Sequence, residues 1–211
     1  MGTRSRSALI ALAVLIAVMV VAVPAQAGTV KSGSTQLTMG ANYVTELAKL
    51  NIAMAPVAPA TMTTKWNSKG NLYYWFRVPM AKTSGGKTST WSPSTGKGVF
   101  YHSGSIRFVE ASATTHKIFR AEGIRIIATS KTSYTMSVSY KPTSGPYQRV
   151  NFATSTHSTK ITKKGKAYTI SGVQFYVTPE GQAAAESVLG AGEKLDTTKM
   201  IFNVDLLPVL Q

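Results

Sequence analysis

Apolar and polar residues alternate along most of the chain, the period-two signature of strands with one buried face. From Ser133 to Tyr140, Tyr134, Met136, Val138 and Tyr140 fall on one side and Ser133, Thr135, Ser137 and Ser139 on the other. Leu72 to Val78 also alternates, but with aromatics on both sides: Leu72, Tyr74, Phe76 and Val78 face one way, Tyr73, Trp75 and Arg77 the other. Cover on both faces is expected there. Between Lys166 and Val177 the phase slips, with Tyr168 and Ile170 in one register and Val173, Phe175 and Val177 in the other. Gly172 stands at the slip and predicts a β-bulge. Further strands are predicted over Thr35–Met39, Val99–Val109, Lys117–Ala128, Arg149–Thr154 and Met200–Leu206. Consecutive strands broken by Gly, Ser and Pro predict an all-β fold, mainly an antiparallel sandwich or barrel.

Two short helices interrupt the pattern. Gly40 to Leu50 sets Tyr43, Leu47 and Leu50 at helical spacing, with Asn51 as a left-handed cap. The second opens on Thr178 as N-cap, Pro179 at the first helical position and Glu180 at the positive end of the dipole. Gly190 stops it. Two loops stand out: Ala81–Gly98, which is long, polar and contains Trp91, and Thr156–Lys166, a hairpin-like basic tip around Gly165.

The first 27 residues read as a cleaved export signal: Arg4 and Arg6, an apolar run from Ala8 to Val23, Pro24, and the small-x-small site Ala25-Gln26-Ala27. The rest, 28–211, has the length of a single β-rich domain. No later stretch is apolar for long enough to span a bilayer as a helix, so no integral span is expected after cleavage. Without cysteine, stability must come from burial and sheet hydrogen bonds.

Charge changes the picture most. Twenty-three Lys+Arg face 8 Asp+Glu, a formal charge of +15, and loss of Arg4 and Arg6 with the leader takes it to +13. Such an excess attracts polyanions in a salt-dependent way. For an exported protein the expected partner is an anionic cell-wall polymer or surface, with nucleic acid bound only nonspecifically. Lys160, Lys163, Lys164 and Lys166, grouped around Gly165, are the candidate polyanion contacts. Trp91, inside the first loop, is a candidate stacking face for a ligand, whereas Trp75 reads as core.

Reactive constellations are scarce. Gly85-Gly86-Lys87-Thr88 ends like a phosphate-binding loop, but Ala81 stands where its first glycine belongs and no helix follows. His102 and Ser103 are neighbours in sequence, which does not make a nucleophile–base pair. Glu110 and Glu122 are the one strand-borne carboxylate pair, and salt bridges to Arg107, Arg120 or Arg125 explain them as well. His102, His116 and His157 lie far apart, without metal-ligand spacing. No catalytic residues, metal or cofactor are therefore expected.

The segment Gly98-Val99-Phe100-Tyr101-His102-Ser103-Gly104-Ser105-Ile106-Arg107-Phe108 resembles the G-x-aromatic-x-H-x-G-x-L/I stretch of Htaa-type domains of exported actinobacterial proteins. Ser171-Gly172-Val173-Gln174-Phe175 and the Thr178-Pro179 helix start are similar to other small exported β-rich proteins of such bacteria. The resemblance implies an exported β-rich fold. It also implies, as an alternative function, haem or small-ligand binding, since a Tyr ligates iron with a supporting His in haem-binding members. Tyr101 and His102 fall in the matching segment, yet adjacent strand residues point to opposite faces. The sequence thus predicts a secreted, non-enzymatic β-sandwich or barrel at the cell surface, with Tyr101, His102 and Trp91 as candidate ligand contacts.

Overall fold

In the computed structural model, residues 27–66, 68, 70, 72–111, 116–190 and 194–211 are described. All but the last residue of the predicted leader lies outside them. The elements are β1 (Gly28–Thr38), α1 (Ala41–Lys49), β2 (Ile52–Val57), β3 (Thr61–Trp66), β4 (Leu72–Ala81), the short pieces β5 (Thr83–Ser84), β6 (Lys87–Thr88) and β7 (Thr90–Trp91), β8 (Gly98–His102), β9 (Ser105–Ala111), β10 (His116–Ala128), β11 (Tyr134–Tyr140), β12 (Gln148–Ser155), β13 (Lys160–Lys164), β14 (Ala167–Val177), α2 (Pro179–Leu189) and β15 (Met200–Leu210).

Every strand pairing is antiparallel. Following the pairs β10–β11–β12–β14–β15–β1–β4–β8 returns to β10, so the sheet closes into an eight-stranded barrel. Of the two architectures the alternation allowed, it is the barrel that forms, and closure leaves the ring without free edges. β10 is long enough to serve twice. Its C-terminal half belongs to the ring, and its N-terminal half pairs with β9, which pairs in turn with β2.

One side chain of each alternating pair enters the barrel. Phe76, Phe100, Phe152, Phe175, Phe202, Leu37, Ile126 and Val138 are all buried. Phe76 meets Phe202 edge-on at 6.5 Å, while Phe119 stacks on Phe152 at 5.7 Å. Such offset contacts fill the interior at low rotamer cost. The predicted slip in β14 is a register shift between Ile170 and Val173, with Gly172 at φ +82°.

Two predictions are revised. Val99–Val109 is not one strand: it breaks at Ser103-Gly104, where Gly104 (φ +84°) brings the chain so near β2 that a Cβ would lie 2.9 Å from the Val57 carbonyl oxygen. The Ala81–Gly98 loop is largely structured, holding the β5–β6 hairpin and β7. Thr156–Lys166 does form a hairpin tip: it contains β13, whose two-residue link to β14 has Gly165 at φ +62° in its first position, as a type II′ turn requires. β2 and β3 escaped the sequence reading, the first interrupted by Pro56 and the second almost wholly exposed.

The helices form where expected. Asn51 adopts φ +53°, and the Thr178 hydroxyl accepts the Gly181 N–H at 2.9 Å. Lys117 Nζ donates to the Leu189 carbonyl at 2.9 Å, closing the negative end of α2. α2 lies so close to β12 that a Cβ on Gly181 would fall 2.2 Å from the Phe152 carbonyl oxygen. Alanine is the better helix former, yet here overpacking outweighs propensity. Gly181→Ala is expected to destabilise the protein by about 1–3 kcal/mol, read as a lower denaturation midpoint; an unchanged or raised midpoint contradicts this packing.

Candidate functional site

β8 sorts the predicted ligand residues onto two sides of the wall. Phe100 and His102 point into the barrel, Tyr101 outward. His102 is 4% exposed. Its Nδ1 lies 3.2 Å from the Ile124 carbonyl oxygen, which can only accept, so Nδ1 carries the proton. In the neutral ring Nε2 then accepts from the Thr35 hydroxyl at 2.6 Å. Burial depresses the His102 pKa to about 4, against smaller opposing effects of the Ile124 and Phe100 backbone. The imidazole is a satisfied core group. It makes no bond to Ser103, whose Oγ instead donates weakly to the Pro79 carbonyl at 3.5 Å.

Trp91 is also interior. It is fully buried, donates from Nε1 to the Gly96 carbonyl at 3.2 Å, and meets Tyr168 edge-on at 5.2 Å. It shows no free face to a ligand, so the stacking role expected of it passes elsewhere. The reverse holds for Trp75. Expected in the core, it is half-buried on the outer wall, with Lys65 Nζ 3.8 Å over its ring. With Tyr73, Gln36, Thr38 and Asp205 it lines an outer cleft of about 440 Å³ across β15, β1 and β4. Next to that cleft, Gly40, Asn42, Tyr43, Lys199 and Met200 line a cavity of about 290 Å³. The Tyr43 hydroxyl there is buried without a hydrogen-bond partner, and burial, with a lesser contribution from Asp196, raises its pKa.

Tyr101 does line a pocket, of about 210 Å³, together with Ser84, Gly85, Lys87, Gly123, Arg125 and Arg149. Arg125 stands directly opposite Tyr101 across the β8–β10 pair, so both side chains share the outer face. The lysines of the basic tip, Lys160, Lys163, Lys164 and Lys166, are all exposed. Lys163 Nζ lies 5.6 Å from the Tyr168 ring centroid.

The carboxylates do not assemble a site. Glu110 shares the buried face of Phe108, while Glu122 lies on the outer face beside Arg120 and Lys141. Among the described residues no cluster of three His, Asp or Glu is placed to hold a metal ion. No described helix is long and apolar enough to cross a membrane.

No family model matches the sequence, and no curated protein matches it. A solved structure does match the fold: the C-terminal domain of HtaA from Corynebacterium glutamicum, at a TM-score of 0.54 over 88% of this chain and 100% of that one. The fold is HtaA-like. Identity is 10%, so the likeness is one of architecture. Within this HtaA-like barrel, the pocket at Tyr101 gathers Arg125, Arg149 and Lys87, which the sequence reading did not group with it. The available signal was the outward parity of Tyr101 and Arg125, which becomes informative only once β8 and β10 are known to pair.

His102 predicts a pH dependence. The folded ring stays neutral down to about pH 4, whereas an unfolded histidine takes up its proton near 6.5. The unfolded chain therefore binds more protons in that window, and stability falls as pH drops from 6.5 towards 4, by about 3 kcal/mol. Denaturant titrations at pH 7 and 4.5 check this, with His102→Gln less stable at pH 7 but shallower in its pH slope.

Proposed function

We propose that the protein is an exported, non-enzymatic barrel that binds anionic cell-envelope polymer at the cell surface. The supporting observation is where its cations lie. The β13–β14 hairpin presents Lys160, Lys163, Lys164 and Lys166 to solvent, and none forms an ion pair among the described residues. The ion pairs that do form gather at Glu46 and Asp196, with Lys49 and Lys199. At the β13–β14 hairpin the lysines are not compensated by any ion pair among the described residues, and a flexible polyanion bound there gains by releasing its counterions. Nucleic acid is held by the same nonspecific attraction. The opposed faces of Glu110 and Glu122, and the separation of His102 from Ser103 in hydrogen bonding, favour binding over catalysis.

A second reading, a haem or small-ligand carrier, is favoured by the HtaA-like fold and by the unpartnered Tyr43 hydroxyl. The pair Tyr101 and His102 does not fit such a ligand. The two point to opposite sides of the wall, so they cannot hold one group between them. Tyr43 would be the residue to hold the group.

Binding to a purified polyanion should weaken steeply with salt. Replacing the four hairpin lysines with Gln should lower the log–log salt slope by roughly 3 on a single-stranded DNA calibrator, at about 0.7 per lost phosphate contact. Salt-insensitive or absent binding defeats the polymer reading. For the second reading, haem titration should give a Soret shift that Tyr43→Phe abolishes and Tyr101→Ala leaves intact; no shift rejects it.

A further inference from the structure

We infer that the pocket over Tyr101 is a built site for one tetrahedral oxyanion, a phosphoryl or sulfate group borne by the anionic polymer. This deepens the polymer-binding reading and rests on it for the source of the anion. The site begins with the Gly85-Gly86-Lys87-Thr88 run, which has the wrong context for a nucleotide loop. The two glycines take φ +56° and +75°, the two left-handed positions of a type I′ turn, and fold the run into the β5–β6 hairpin. Ser89 fixes that hairpin at its base. Its hydroxyl donates to the Ala81 carbonyl at 2.6 Å and accepts the Tyr101 N–H at 2.9 Å, so Lys87 is carried over the outer face of Tyr101.

The floor is built with the same economy. β10 bulges between Glu122 and Arg125, with Gly123 at φ +50°. Arg149, from β12, lies in the space this opens. Its Nη1 donates to the Gly123 carbonyl at 3.1 Å, and a Cβ on Gly123 would come within 3.0 Å of its Nη2. Arg125 enters from the next register position, opposite both Tyr101 and Ser137. Three cations from three separate elements thus meet one phenol. No carboxylate lines the pocket, and none of the three cations is in an ion pair among the described residues. Burial first, then the neighbouring Arg125, lowers the Arg149 pKa, with Tyr101 opposing, so some like-charge repulsion adds to the cost of burial.

An anion relieves that repulsion. Its chemistry follows from the donors: guanidinium forks, an ammonium and a hydroxyl approach from different elements, and a phosphate or sulfate has oxygens for all of them. A carboxylate has two, enough for one fork. The pocket's 210 Å³ has room for one such group. In this division of labour, the hairpin lysines gather the polymer and the Tyr101 pocket seats one of its charged groups.

The test uses the full chain, with inorganic phosphate, inorganic sulfate and acetate as small probes at matched ionic strength, and poly(glycerol phosphate) and polygalacturonate as polymers. Calorimetric titration and thermal shift should show saturable binding of phosphate or sulfate, and none of acetate. Arg125→Gln and Arg149→Gln should each weaken it about tenfold or more, with unchanged far-UV circular dichroism. Arg149→Lys, which keeps the charge but loses the fork, should weaken phosphate while leaving the polymer's salt slope unchanged. The variant with Lys160, Lys163, Lys164 and Lys166 all changed to Gln should keep phosphate binding and lose polymer avidity. Poly(glycerol phosphate) should outcompete polygalacturonate in the wild type. Absent phosphate and sulfate binding, or binding indifferent to Arg125 and Arg149, overturns the site even if polymer still binds. Small-anion binding without any polymer binding overturns the polymer reading and leaves the pocket standing.

Discussion

The ring closes through a strand of five residues. β8 holds β4 by two register pairs, Met80 with His102 and Ala81 with Tyr101, and holds β10 by four. His102 reinforces that narrow seam from within, bonding Thr35 on β1 and the Ile124 carbonyl on β10. One imidazole therefore ties three strands together at the point where the sheet must meet itself. Both of its nitrogens are satisfied, so a polar group deep in an aromatic interior carries no unmet hydrogen bond, and losing either partner would expose a desolvation penalty. The same seam turns the next residue, Tyr101, to the outside.

Closure then divides the chemistry of the protein. A barrel of eight strands has an interior that side chains fill, so ligand-sized space is pushed to the outer wall and its appendages. Two of the hollows lie on different parts of that wall, one across β15, β1 and β4, the other across β8, β10 and β12. The first mixes aromatic rings with Lys65 and Asp205; the second sets three cations and one phenol beside Ser84, with no carboxylate in its lining. Charge is also unevenly paired. Glu46 and Asp196 neutralise Lys49 and Lys199 near α1, and the cations of the Tyr101 pocket and of the β13–β14 hairpin form no ion pair among the described residues.

An HtaA-like architecture at 10% identity is what such a division predicts. The barrel asks for apolar residues at inward positions, a few glycines at bends, and little else. Leu, Phe, Val and Ile exchange freely there if volume is kept, and outward positions are unconstrained by the fold. Architecture can therefore be shared without any constraint on the outer-wall side chains.

The sequence by itself determined the local elements. Alternation from Ser133 to Tyr140 and the phase slip at Gly172 appear in β11 and β14, Asn51 takes its left-handed turn, and Thr178 caps α2, because each depends on a few consecutive residues. It also determined that Tyr101 and His102 face apart. It misled where a residue's surroundings come from distant strands: Trp75 stands on the outer wall beneath Lys65, and Trp91 in the core against Tyr168. Only tertiary structure decided barrel over sandwich, and only it brought Lys87, Arg125 and Arg149 around Tyr101. Those residues are spread over more than sixty positions and share no motif. They meet because strand registers, summed around a closed ring, fix which outward side chains become neighbours, and register is a property of pairs of strands that no single stretch of chain contains.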